Sequence, residues 1–193
     1  LPDGSIRAFA PGTTPMEVAK NISEGFARNV ISASFEGTTI ETSTPLTTDG
    51  SLILYTWNDA EGKKAFWHST SHVMAQVLEE MFPGIQLTLG PAIANGFYYD
   101  VDFGDQKITE ADFKAIESRI LEISKEKHEF KMRAVTKAEA LETYKDNVYK
   151  TELISNLEDG TITFCDHATF TDLCRGGHIP NTGIIKAVKI MSV

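Results

Sequence analysis

Two short residue pairs carry the chemistry that this sequence could perform. His68 and His72 stand four apart, and on a helix that spacing puts both imidazoles on one face, with the small Ala75 beneath them leaving space. Cys174 and His178 flank Arg175-Gly176-Gly177, where two glycines let the backbone bend and bring a thiol beside an imidazole. Imidazole and thiolate are the ligands of zinc-type metals, and the same groups can position a water and move its proton. Each pair also has a plain structural reading: solvated histidines on a polar helix face, and a small buried thiol beside a turn histidine. Two matched pairs together favour a single site, which the fold must close across the length of the chain.

The elements that would position these residues are legible from periodicity and punctuation. Residues 1–57 read as a strand, helix, strand unit. Asp3-Gly4 is a turn signal, Ser5 to Ala10 alternates as a strand, and Thr14-Pro15-Met16-Glu17 is a capping box opening a helix through Ile22. Val30 to Phe35 and Ser51 to Thr56 are strand-like, so a small sheet gripping one helix is expected. The polar stretch Asn58 to Lys64 marks the boundary of a second unit, 58–193. It opens with a helix over 64–81, whose apolar stripe is Phe66, Val73, Met74, Val77, Leu78 and Met81, with His68 and His72 on the other side. Helices are expected over 109–127 and 136–144, and strands at 97–101, 161–164 and 184–193. The mixed order predicts an α+β fold, without internal repeats or low-complexity segments.

Composition sets the remaining bounds. The 193 residues carry 18 Lys+Arg against 27 Asp+Glu, a formal charge of −9, which excludes a free-standing basic binder of nucleic acid. Residues Lys125, Lys127, Lys131 and Arg133 make one locally basic stretch, read as a solvated helix end. No run approaches a membrane span and Leu1-Pro2-Asp3-Gly4 is no signal peptide, so a soluble, cytoplasmic protein is expected, with no membrane partner. Two cysteines cannot form a disulfide framework. The start without Met and the apolar ending Ile190-Met191-Ser192-Val193 are read as a cut from something longer.

Three motifs in order, His68-Ser69-Thr70-Ser71-His72, Gly90 to Asp100 (GPAIANGFYYD) and Asp172-Leu173-Cys174-Arg175-Gly176-Gly177-His178, closely resemble the editing domain of bacterial threonyl-tRNA synthetases. Residues 1–57 resemble the ubiquitin-like, β-grasp TGS domain that precedes it there. The resemblance spans essentially the whole chain and implies proofreading: hydrolysis of the ester that joins serine to the 3′-terminal adenosine of threonine tRNA. It implies catalytic roles for His68, His72, Lys150, Asp172, Cys174 and His178, with Lys150 on the ribose hydroxyl or the oxyanion and Asp172 on an imidazole or the substrate ammonium. Tyr99, on the opposite face of its strand from Tyr98, and Gly90 would contact substrate, Tyr99 by stacking on the terminal adenine.

The resemblance also implies what would lie elsewhere. The aminoacylation core, with its ATP, Mg and Zn, and the anticodon-binding domain would follow Val193, and the full-length enzyme would be a homodimer while the fragment is a monomer. No cofactor is expected in this fragment. If zinc were bound, its ligands would be His68, His72, Cys174 and His178, as in the related alanyl-tRNA editing proteins. Gly177 departs from the commoner family pattern, which has proline there, and is expected to loosen the turn before His178. Two rival readings stand beside this one: a zinc-dependent alanyl-type trans-editing hydrolase, and a non-catalytic TGS module for regulation or RNA interaction.

Overall fold

The computed structural model describes residues 6–193. The Asp3-Gly4 turn and Ser5 lie outside the described residues, and Ile6 to Ala10 run without the expected strand. Helix α1 (Pro15–Ile22) begins as its sequence dictates. Thr14 Oγ1 accepts from the Glu17 amide (3.2 Å), and the Glu17 carboxylate accepts from the Thr14 amide (2.8 Å). A short helix α2 (Glu24–Ala27) follows, then strands β1 (Val30–Phe35), β2 (Thr38–Ile40) and β3 (Leu52–Thr56). These form one antiparallel sheet in the order β2-β1-β3. Helix α1 lies across it, with Ala19, Ala27 and Val30 at the centre of a small core.

Helix α3 (Ala60–Met81) starts four residues earlier than its apolar stripe suggested. Asp59 stops the chain at the N-cap by accepting from the Thr56 amide (2.7 Å) and hydroxyl (3.0 Å), so most of the expected linker is the helix's first turn. Gly62 faces the backbone of the first unit so closely that a Cβ there would sit 2.0 Å from the Thr56 carbonyl oxygen. The expected single strand at 97–101 is instead divided among short ladders: β4 (Gln86–Leu87) pairs with β7 (Val101–Asp102), and β5 (Ala92–Ile93) with β6 (Gly96–Phe97).

Helix α4 (Glu110–Glu126) keeps its predicted limits, capped by Thr109 with Asp112 and ended by Lys127 at φ 59°. Strand β8 (Lys131–Ala134), helices α5 (Lys137–Thr143) and α6 (Val148–Ser155), and strands β9 (Thr163–His167) and β10 (Phe170–Leu173) complete the second unit, with sheet order β10-β9-β8. The expected strand over 184–193 is absent. A 3-10 turn, Thr182–Ile184, replaces its start and the rest is irregular. Ile184, Ile185, Val188 and Ile190 pack individually on the core, and Met191 and Val193 are exposed.

The architecture is α+β. Ile116, Ile120 and Ile123 of α4 are sealed against Val73, Val77 and Leu78 of α3, and Ile31 of β1 joins the same core. The polar side of α3 is no more solvated than its apolar stripe: Ser69, Thr70, Ser71, His72 and Gln76 are all buried. The solvated-face reading of His68 and His72 fails because the chain after β10 is laid over that side. Ser69 Oγ accepts from the Ile179 amide (2.9 Å) and donates to the Ala65 carbonyl (2.7 Å), fastening the two together.

Candidate active site

The distant pairs meet. His68 Nε2 lies 3.1 Å from Cys174 Sγ, and His178 Nε2 lies 3.4 Å from the same sulfur. The His68 and His178 rings stack at 4.8 Å, and His72 stands edge-on to both at 4.7 and 5.0 Å. One donor atom from each of the four residues falls within 4.8 Å of the others. This cluster can hold a metal ion, since three nitrogens and a sulfur are a zinc-type donor set.

A second constellation adjoins it, centred on Asp172 of β10. Asp172 is 4% exposed, and its Oδ1 pairs with the ammonium of Lys150, itself 2% exposed in the first turn of α6. Its Oδ2 accepts from the Tyr99 hydroxyl (2.8 Å) and lies 3.8 Å from His72 Nδ1. The lysine is buried although it stands in the first turn of a helix. A charge that deep requires a partner, and Asp172 supplies one. The Tyr98–Tyr99 alternation holds in effect: Tyr98 is 47% exposed while the Tyr99 hydroxyl turns inward. Gly90 serves that inward turn. A Cβ at Gly90 would strike the Tyr99 ring at 2.2 Å, and its carbonyl accepts from Ser71 Oγ (2.8 Å).

Burial dominates the electrostatics. It pushes the Cys174 thiol up to about 12, partly countered by the Gly176 amide donating to the sulfur (3.3 Å), so the S–H stays intact at neutral pH. Burial, reinforced by His178, takes His68 down to about 3, and His72 falls well below the ordinary histidine range for the same first reason. His68 and His72 are therefore uncharged bases. Burial and the neighbouring Asp172 carboxylate keep the Tyr99 hydroxyl protonated, as its hydrogen bond requires.

Two residues of this neighbourhood escaped sequence reasoning. Glu41, just after β2, sends its carboxylate into the turn before His178, and Oε1 accepts from His178 Nδ1 (2.9 Å) and the Gly177 amide (3.0 Å). Desolvation raises that carboxyl, but the bonds from His178 and Gly177 outweigh it and hold the group below the usual range. His167, in β9, is 2% exposed with neither ring nitrogen hydrogen-bonded among the described residues, and it packs on Phe130 and Phe170. Neither residue sits in a motif; a carboxylate after an exposed strand gives no signal, and His167 reads as one of a strand's alternating positions. The turn itself is not loose: Gly176 and Gly177 sit at φ 91° and 88°, and His178 is fully buried. Proline, with φ fixed near −65°, could not take Gly177's conformation. In the basic stretch, Arg133 is taken up by Asp166 (2.8 Å) and Glu139 (2.7 Å).

Residues 1–56 match the TGS domain, and residues 162–193 match the Threonyl and Alanyl tRNA synthetase second additional domain. The whole chain is 89% identical to part of a threonine–tRNA ligase of Flavobacterium johnsoniae, 52% identical to one of Parabacteroides distasonis and 48% to one of Desulfatibacillum aliphaticivorans. Over its whole length the chain is similar to threonine–tRNA ligases. It corresponds to their N-terminal portion and spans about 30% of the length of these curated relatives. In threonyl-tRNA synthetase terms, a TGS unit is followed by a unit of the editing type, and the matched stretch 162–193 holds the Asp172–His178 motif.

Proposed function

We propose that this chain hydrolyses the ester of serine mischarged onto threonine tRNA, the proofreading step of the synthetase, with a unit boundary between residues 57 and 58. A site that accepts threonine gains only about 1–3 kcal/mol from one methyl group, too little to refuse serine by binding alone. A second, hydrolytic sieve answers that need. The observation that carries the reading is the convergence of His68, His72, Cys174 and His178 beside the Lys150–Asp172–Tyr99 group.

In this reading the uncharged imidazoles of His68 and His72 accept the proton of the attacking water, His68 being the more exposed of the two. Cys174, held as a thiol, is a hydrogen-bond donor and not the nucleophile. Asp172 receives the substrate ammonium, and Lys150 faces the oxyanion or the ribose hydroxyl. Gly90 makes room for the Tyr99 ring, the platform offered to the terminal adenine. With the chain's acidic balance, most tRNA affinity comes from the rest of the synthetase, a cytoplasmic homodimer whose core uses ATP, Mg and Zn.

The test compares deacylation of seryl- and threonyl-tRNA by this chain, with His72→Ala as control. Serine should leave faster and the variant should be impaired. Equal rates, or an unimpaired variant, overturn the proposal.

The compactness of the donor cluster favours a second reading. Zinc held by His68, His72, Cys174 and His178 would supply Lewis acidity, but with all four tetrahedral positions closed it would leave none for water. The proposal is hydrolysis without tightly held zinc. Stoichiometric zinc in the purified protein, lost together with activity on chelation, would replace it with the second reading.

A further inference from the structure

The TGS unit contributes a side chain to the site of the other unit. Glu41 is only 15% exposed although it stands at a strand end. Its Oε1 collects three N–H groups from the far end of the chain: the amides of Gly177 (3.0 Å) and His178 (3.4 Å) and the ring Nδ1 of His178 (2.9 Å). The turn is moulded to this contact. A Cβ on Gly176 would come 3.3 Å from Glu41 Oε1, and one on Gly177 would come 3.1 Å from Thr39 Cγ2 of β2. His178 is fully buried, and among the described residues its Nδ1 has besides Glu41 only the Cys165 sulfur at 3.7 Å.

We propose that Glu41 is a positioning residue of the hydrolytic site, fixing the proton of His178 on Nδ1 and directing Nε2 at Cys174, so that the site is complete only when the TGS unit is docked. The inference deepens the proofreading reading and rests on it for the activity it predicts. An acceptor-only carboxylate on Nδ1 requires a proton there, which leaves Nε2 as the nitrogen facing the thiol. A partner of this kind orients a functional imidazole and selects its tautomer.

The experiment records the ring 15N signals of His178 in metal-free protein, together with seryl-tRNA hydrolysis, for the wild-type chain, Glu41→Met and Glu41→Gln. Methionine fills similar volume without accepting a hydrogen bond, and glutamine restores the acceptor. The wild type should show a protonated Nδ1. Glu41→Met should lose that signature and roughly 10–100-fold in kcat with little change in KM, the size of effect seen when such a supporting partner is removed. Glu41→Gln should recover the signature and most of the rate. An unprotonated Nδ1 in the wild type overturns the proposal even if Glu41→Met does not fold. A folded Glu41→Met with unchanged ring signals and rate, or one whose loss lies in KM alone, overturns it too. A wild-type chain without seryl-tRNA hydrolysis would sink the proofreading reading, while the ring signals would still judge Glu41.

Discussion

The two units of this chain bury different kinds of residue. The first closes over aliphatic positions, Val18, Ala19, Ala27, Val30 and Ala33, and the polar groups it seals are small hydroxyls such as Ser32, Ser34 and Thr42. The second seals Lys150, Asp172, His72, His167 and His178 alongside its isoleucines. Burial of apolar surface stabilises both, at about 25 cal/mol per Å². In the second, part of that gain offsets the cost of taking charges and imidazoles out of water. The first unit is built as a fold that presents one carboxylate, and the second carries a site in which the buried charges of Lys150 and Asp172 answer each other, while buried His167 has no hydrogen-bond partner among the described residues.

The contrast is broken most severely at Asp172. Asp172→Ala leaves the Lys150 ammonium buried and unpaired, and should cost about 3–5 kcal/mol. Denaturant unfolding should show it and seryl-tRNA hydrolysis should disappear. The double change Lys150→Met with Asp172→Leu should recover stability without recovering activity; an Asp172→Ala variant as stable as the wild type would show that the pair is not buried in solution.

Acid should separate the units next. Burial takes His167 down to about 4 and His68 to about 3, from an unfolded value near 6.5. Between those limits the unfolded chain binds more protons than the folded one, so stability is fully present above about 6.5 and declines as pH falls toward 4. Hydrogen exchange followed against pH should find the loss in α3, β9 and β10 and leave the β1–β3 sheet nearly level. His167→Phe should flatten the decline. The smallest effect belongs to the first unit: Thr14→Ala removes the capping box and should cost about 1 kcal/mol in thermal unfolding, without touching hydrolysis.

Much of this was open to inspection in the sequence. Thr14 with Glu17, and Thr109 ahead of α4, fix helix starts through hydrogen bonds that span three residues, and such bonds need no tertiary context. The Cys174–His178 spacing and the His68–His72 pitch were readable for the same reason. Local rules failed where a distant contact decided the outcome. Asp59 turned back on Thr56 and absorbed the linker into α3, Ile185, Val188 and Ile190 found apolar contacts in place of a strand partner, and the polar side of α3 was roofed by the chain running to Ile179.

The sequence by itself determined which chemical groups were available and in what local pairs: imidazoles one helical turn apart, a thiol and an imidazole across a glycine turn, a capped helix on a small sheet. Only the tertiary structure decided that the two pairs share one sulfur, that Lys150 answers Asp172 and that Glu41 reaches His178. Those contacts join residues 22 to 137 positions apart, and they form because a buried charge costs least where the packed chain brings a partner within reach.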